Sequence, residues 1–118
     1  MKILIYILIV VSNLYSNCES GYTDYSNFSF SNNTIIVDGN YCLYDQDVSV
    51  LEDIIVQNNL SVDSPLSLGF QTWFEGRNGY LQVGNTFQGG NHVLSVLPET
   101  IGNLSNLTIL WLEENNLT

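Results

Sequence analysis

The sequence predicts an α/β chain, a helix followed by short strands, on three observations. Val48, Leu51, Ile54 and Ile55 recur at spacings of three and four, which makes one apolar stripe on a helix. Tyr80 to Val83 alternates as a short strand, with Leu81 and Val83 pointing one way. The closing segment "LPETIGNLSNLTILWLEENNLT", residues 97–118, reads as one turn of something repetitive.

A chain of 118 residues holds one small domain at most. Met1-Lys2 is followed by an unbroken apolar run, Ile3 to Val11, and then by Ser12, Asn13, Ser16 and Asn17. A positive start, a short apolar core and a polar exit match a secretory signal peptide. The run is shorter than the roughly 20 apolar residues that a bilayer span needs, so no membrane span is expected in the mature segment. The leader is placed at 1–16, with cleavage after Ser16, or after Ser20 as second choice. Cleavage after Ser16 keeps Cys18 and Cys42, which in an exported protein can form one disulfide or remain two thiols. Cleavage after Ser20 leaves Cys42 alone. Lipid attachment at Cys18 is disfavoured by the bulky Tyr15 and by Asn17 in its approach.

Twelve acids face two bases, Lys2 and Arg77, and Lys2 leaves with the leader. Nucleic-acid binding and docking on anionic membranes both depend on Lys and Arg, so both are excluded as partners. The acids are scattered, which suits solubility and long-range repulsion rather than a specific site.

Residues 17–44 are polar and aromatic. Tyr22, Tyr25, Phe28 and Phe30 give weak strand signals, Thr34 to Val37 a better one, and Asp38 to Asn40 a turn. The expectation is an irregular lead-in, partly ordered at most, with room for one hairpin. The helix begins at Asp45, with Asp45 or Asp47 as cap, or Ser49 with Glu52 as a capping box, and ends near Asn58-Asn59. Leu66, Leu68, Phe70, Trp73 and Phe74 are too many large apolar residues for an exposed loop, and they are expected to close one end of a core.

Leu107, Leu110, Leu112, Asn115 and Leu117 fit the spacing LxxLxLxxNxL, with Leu97, Ile101 and Leu104 before them. Residues 97–117 closely resemble the plant-type extracellular leucine-rich repeats, which are also similar to repeats of bacterial surface proteins. The preceding stretch, through Leu51, Leu68, Gln71, Trp73 and Leu81, looks more loosely like the cap that such arrays place before their first repeat. The resemblance implies a leucine-rich repeat solenoid: cap at 45–78, then one degenerate and one clear repeat at 79–118, with the C-terminal end open. Leu110 and Leu112 would enter the core, and Asn115 would satisfy backbone groups at a sharp turn. Leu81 and Leu110 are 29 residues apart, whereas the repeat runs about 24, which points to an insertion near Gly89-Gly90. A repeat cannot bury its apolar side alone, so further repeats of the same chain are expected, the chain reads as an N-terminal fragment, and Leu110, Leu112 and Leu117 would lie open.

In that family ligands bind on the concave face. Here the resemblance assigns that face to Ile109, Trp111 and Glu113, with Tyr80 and Gln82 beside them. An exposed Trp flanked by an acid can anchor a peptide or stack on a sugar. Nothing argues for catalysis or for a cofactor. His92 is the sole histidine and has no ligand partners at zinc spacing. Asp45 and Asp47 lack the rest of a calcium loop, and Glu52-Asp53 and Glu113-Glu114 are adjacent pairs whose side chains point apart. Asn27, Asn32, Asn59, Asn103, Asn106 and Asn116 each start an Asn-x-Ser/Thr sequon, although the last three are also repeat consensus. The expected function is a secreted or cell-surface recognition module that binds a protein or peptide ligand, with a carbohydrate as the further class of partner. The competing reading is a repeat scaffold for an enzymatic or anchoring domain beyond Thr118.

Overall fold

The computed structural model describes residues 18–84 and 92–117, so the leader at 1–16 and the Gly89-Gly90 loop lie outside the described residues. The elements are β1 (Tyr22–Asp24), β2 (Thr34–Ile36), β3 (Cys42–Tyr44), α1 (Asp45–Gln57), β4 (Phe70–Phe74), β5 (Arg77–Gln82) and β6 (Ile109–Trp111). Short 3-10 turns lie at Pro65–Ser67 and Glu99–Asn103.

The stripe seen in the sequence lies on α1, with Leu51, Ile54 and Ile55 buried and Val48 partly buried; Val50 and Asp47, outside that stripe, complete the buried face. The helix start differs from expectation. Its cap is Tyr44, without a side-chain bond, because the three polar candidates are engaged elsewhere. Asp45 accepts the Thr23 hydroxyl at 2.6 Å, Asp47 faces Arg77, and the Ser49 hydroxyl donates to the Gln46 carbonyl at 2.9 Å. At the other end Asn59 takes φ 52°. The amides of Asn59 and Leu60 donate back to Val56 and Ile55, the reversed pairing that closes a helix on a left-handed residue. Asn58 then ties this end to the chain after the loop: its Nδ2 donates to Val96 O at 2.8 Å and its Oδ1 accepts from Ser95 N at 2.7 Å.

The solenoid expectation is overturned. The described residues form a small two-layer α/β unit with one helix, a two-stranded sheet β1-β3 and a four-stranded mixed sheet in the order β2-β4-β5-β6. A solenoid adds each strand parallel to the last, in chain order. Here the central pair, β4 and β5, is antiparallel, and β2 joins in parallel from the far side. The local cause is Glu75-Gly76. Both have positive φ, 52° and 77°, so a two-residue turn sends the chain straight back as a hairpin. A Cβ on Gly76 would come within 2.4 Å of the Cys42 carbonyl, so this turn also needs glycine for close approach. The lead-in, expected to be irregular with room for one hairpin, holds three strands, of which β2 matches the signal at Thr34 to Val37, and β1 pairs with β3 in register from Tyr22↔Tyr44 to Asp24↔Cys42.

One core fills the space between α1 and the inner face of the larger sheet. Leu43, Leu51, Ile54, Leu68, Trp73, Leu81 and Leu94 are fully buried there. Of the polar groups inside it the Gln71 side chain is bonded, whereas the buried Asn78 Oδ1 has no partner among the described residues. Gln71 Nε2 donates to the carbonyls of Pro65 and Leu68, and its Oε1 accepts Trp73 Nε1–H at 2.7 Å. No helix among the described residues is long and apolar enough to cross a membrane.

Candidate functional site

Strand alternation separates the faces of the larger sheet. Gln71, Trp73, Leu81 and Val83 point to the helix, so the residues between them point outward. The register lines these up in two rows. Ile35, Thr72, Tyr80 and Ile109 are successive partners across all four strands. Phe70, Gln82 and Trp111 are partners across β4, β5 and β6. Directly paired side chains on one face lie about 4.5–5.5 Å apart at Cβ, so each row is a continuous ridge.

The ridges are mainly apolar, with Thr72 and Gln82 as their polar members, and are open at their outer residues. Ile35 is 44% exposed, Ile109 49% and Trp111 41%, and Phe74 beyond the rows is 53% exposed. The Phe70 and Tyr80 rings meet edge to face with centroids 5.5 Å apart. Tyr80 donates its hydroxyl to Gln82 Oε1 at 2.9 Å, which fixes both side chains. Gln82 itself is buried, since Phe70 and Trp111 flank it on either side.

The five residues assigned to a ligand face are thus distributed as follows. Tyr80, Gln82, Ile109 and Trp111 come together on the outward face, Gln82 as a buried support. Glu113 follows β6, exposed, in the turn that leads to Asn115. Ile35, Phe70, Thr72 and Phe74 were missed. Alternation in "FQTWF" was the signal for β4, obscured because its inward position 71 is a glutamine. Ile35 could not be placed without knowing that β2 joins this sheet.

Asn115 holds the end of the face in place. Its Nδ2 lies 2.7 Å from Val83 O and 2.9 Å from Leu112 O, and its Oδ1 accepts Leu94 N at 2.8 Å. One side chain therefore joins the ends of β5 and β6 to the chain at Leu94. Of the other repeat positions, Leu104 is buried, and Leu97, Ile101, Leu107 and Leu112 are partly buried. Leu110 sits beside Leu81 but, on the outermost described strand, is 37% exposed, as is Leu117.

Cys18 and Cys42 are joined in a disulfide that spans 24 residues. A cleft of about 290 Å³ beside it is lined by Tyr22, Asn40, Glu19 and Glu75 as well as both cysteines. His92 is half-buried. Among the described residues no three His, Cys, Asp or Glu side chains cluster as metal ligands would. Compared with known protein families, curated proteins and solved structures, the chain matches none.

Proposed function

We propose that this is an exported recognition module that binds a protein or peptide ligand through the outward face of the β2-β4-β5-β6 sheet. The observation that carries this reading is the pair of aromatic and aliphatic ridges, left open on the side of the sheet away from α1. A sheet with one face on a core normally turns polar residues outward. Here the outward positions include Ile35, Phe70, Tyr80, Ile109 and Trp111, a composition typical of the centres of protein interfaces. Trp and Tyr supply large contact area at low entropic cost, and Tyr80 is already fixed by its bond to Gln82.

Charge narrows the ligand. The chain carries a net charge of −10, and Arg77, the one Lys or Arg among the described residues, is engaged with Asp47. Long-range attraction therefore favours a ligand with basic residues around an apolar centre. The disulfide accords with an oxidising compartment and so with the secretory leader read from the sequence.

Peptide-display selection on the full chain tests this. Peptides with aromatic or aliphatic residues flanked by Lys or Arg are expected to be enriched, and binding is expected to be lost with Trp111→Asp or Ile109→Asp. Equal enrichment on the variants would contradict the assignment of the face.

A further inference from the structure

The asparagines among the described residues fall into two sets. Asn40, Asn58, Asn78 and Asn115 use their side chains to tie backbone segments together, and Asn33 is also engaged. None of these five begins an Asn-x-Ser/Thr sequon. Asn27, Asn32, Asn59, Asn103, Asn106 and Asn116 all begin one, and all six are exposed. Not one of the six lies in a strand of the larger sheet.

The third residue of each sequon divides the six further, because the glycosylation motif requires its hydroxyl. Thr34 is buried and donates its hydroxyl to Leu66 O at 2.6 Å, which occupies the sequon of Asn32. Ser105 accepts from Arg77 at 2.9 Å, and Thr108 donates to Gly79 O at 3.0 Å, which engages the sequons of Asn103 and Asn106. Thr118, which completes the sequon of Asn116, lies outside the described residues. For Asn27 and Asn59 both groups are on the surface: Ser29 and Ser61 are exposed. Asn27 sits in the turn after β1. Asn59 is the left-handed residue closing α1, a conformation held by backbone bonds that leave its amide facing water.

We propose that Asn27 and Asn59 are N-glycosylation sites, and that the glycans leave the sheet's outward face bare. In the reaction the asparagine Nδ2 attacks C1 of an oligosaccharide carried on a lipid diphosphate. A C1–N bond forms, the C1–O bond to phosphate breaks, the lipid diphosphate leaves, and the amide gives up one proton. The inference rests on the reading that the chain is exported.

The full chain, with its own leader, is expressed in a secreting eukaryotic host and then treated with a glycan-releasing amidase in ¹⁸O-water. That enzyme converts each glycosylated Asn to an isotope-marked Asp. Marked Asp is expected at positions 27 and 59, with the gel shift on release reduced in N27Q and in N59Q and absent in the double variant. Peptide binding to the sheet face is expected to be the same before and after glycan release. Unmarked Asn27 and Asn59 in protein recovered from the medium would overturn the inference while export stands. Unglycosylated protein retained in the cytosol would overturn both. Marks at Asn32, Asn103 or Asn106 but not at Asn27 and Asn59 would overturn the assignment of sites.

Discussion

Arg77 and Asp47 form a part-buried, two-pronged ion pair between strand and helix. Arg77 Nε donates to Asp47 Oδ2 at 2.9 Å and Nη2 to Oδ1 at 3.2 Å, while the Asn78 amide donates to Oδ2 at 3.0 Å. The Asp47 side chain is fully buried, and the guanidinium lies 4.4 Å over the Tyr44 ring. Hydrogen bonding to Asp47 pushes the Arg77 guanidinium above even its usual high range. Because β5 supplies both Arg77 and the face residue Tyr80, this pair fixes the sheet against α1. Asp47→Ala removes the anion and strands a half-buried cation, and about 3–5 kcal/mol of stability should be lost. Replacing both partners, with Asp47→Leu and Arg77→Met, should cost clearly less than the two single changes added together. Denaturant unfolding of the four proteins measures this coupling, and additive losses would contradict it.

The disulfide stabilises by restricting the unfolded chain. For a 24-residue separation, the loop-closure estimate is about 3 kcal/mol. The Cys18→Ser and Cys42→Ser double variant should lose stability on that order, first at the two-stranded β1-β3 sheet, where Cys42 pairs with Asp24. Hydrogen exchange of the amides of Thr23 and Leu43 would locate the loss.

Asn115→Ala should cost about 2–3 kcal/mol, since it leaves several half-buried backbone groups without a partner. The loss should be concentrated at β6. Faster exchange there, with α1 amides unchanged, is the expected pattern, and uniform loss across the chain would contradict a local role.

Asp38 predicts a pH dependence. Its Oδ2 accepts the Glu75 amide at 2.9 Å, and this bond holds the carboxyl below its ordinary value of 3.8. A depressed folded value means that the stabilisation is present above the unfolded value and fades as pH falls through the folded one. Asp38→Asn should therefore lower the melting temperature at neutral pH, and the gap to the native protein should close in strong acid. A gap that persists unchanged below that range would show that the bond to Glu75 does not depend on the charge.

How much of this was legible depends on which forces were local. The stripe Val48, Leu51, Ile54 and Ile55 announced α1, because helical periodicity is written within one turn. Leu81 and Val83 announced the inner face of β5 for the same reason. Of the three-residue strands only β2 was signalled clearly, by Thr34 to Val37, and the pairing of all three is decided by partners tens of residues away. Asp47 and Gln71 were misleading, since polar residues inside a core are stable only when partners such as Arg77 and Trp73 are brought to them. The spacing around Leu110 and Asn115 correctly marked a strand and a turn. It said nothing of the Glu75-Gly76 reversal, which makes the sheet mixed. The outward face was half legible: the resemblance put Tyr80, Ile109 and Trp111 on one face by their alternation with the core leucines, whereas Ile35 and Thr72 joined them only through the sheet order.

The central claim is that the outward sheet face is where a ligand binds. Chemical-shift mapping on the labelled protein, titrated with a display-selected peptide, tests it most directly. Shifts concentrated at Ile35, Thr72, Tyr80, Ile109 and Trp111, with the exposed α1 residues Glu52 and Val56 unmoved, are the predicted result. Shifts centred on α1 or on the cleft at Tyr22 and Glu75 would contradict the claim.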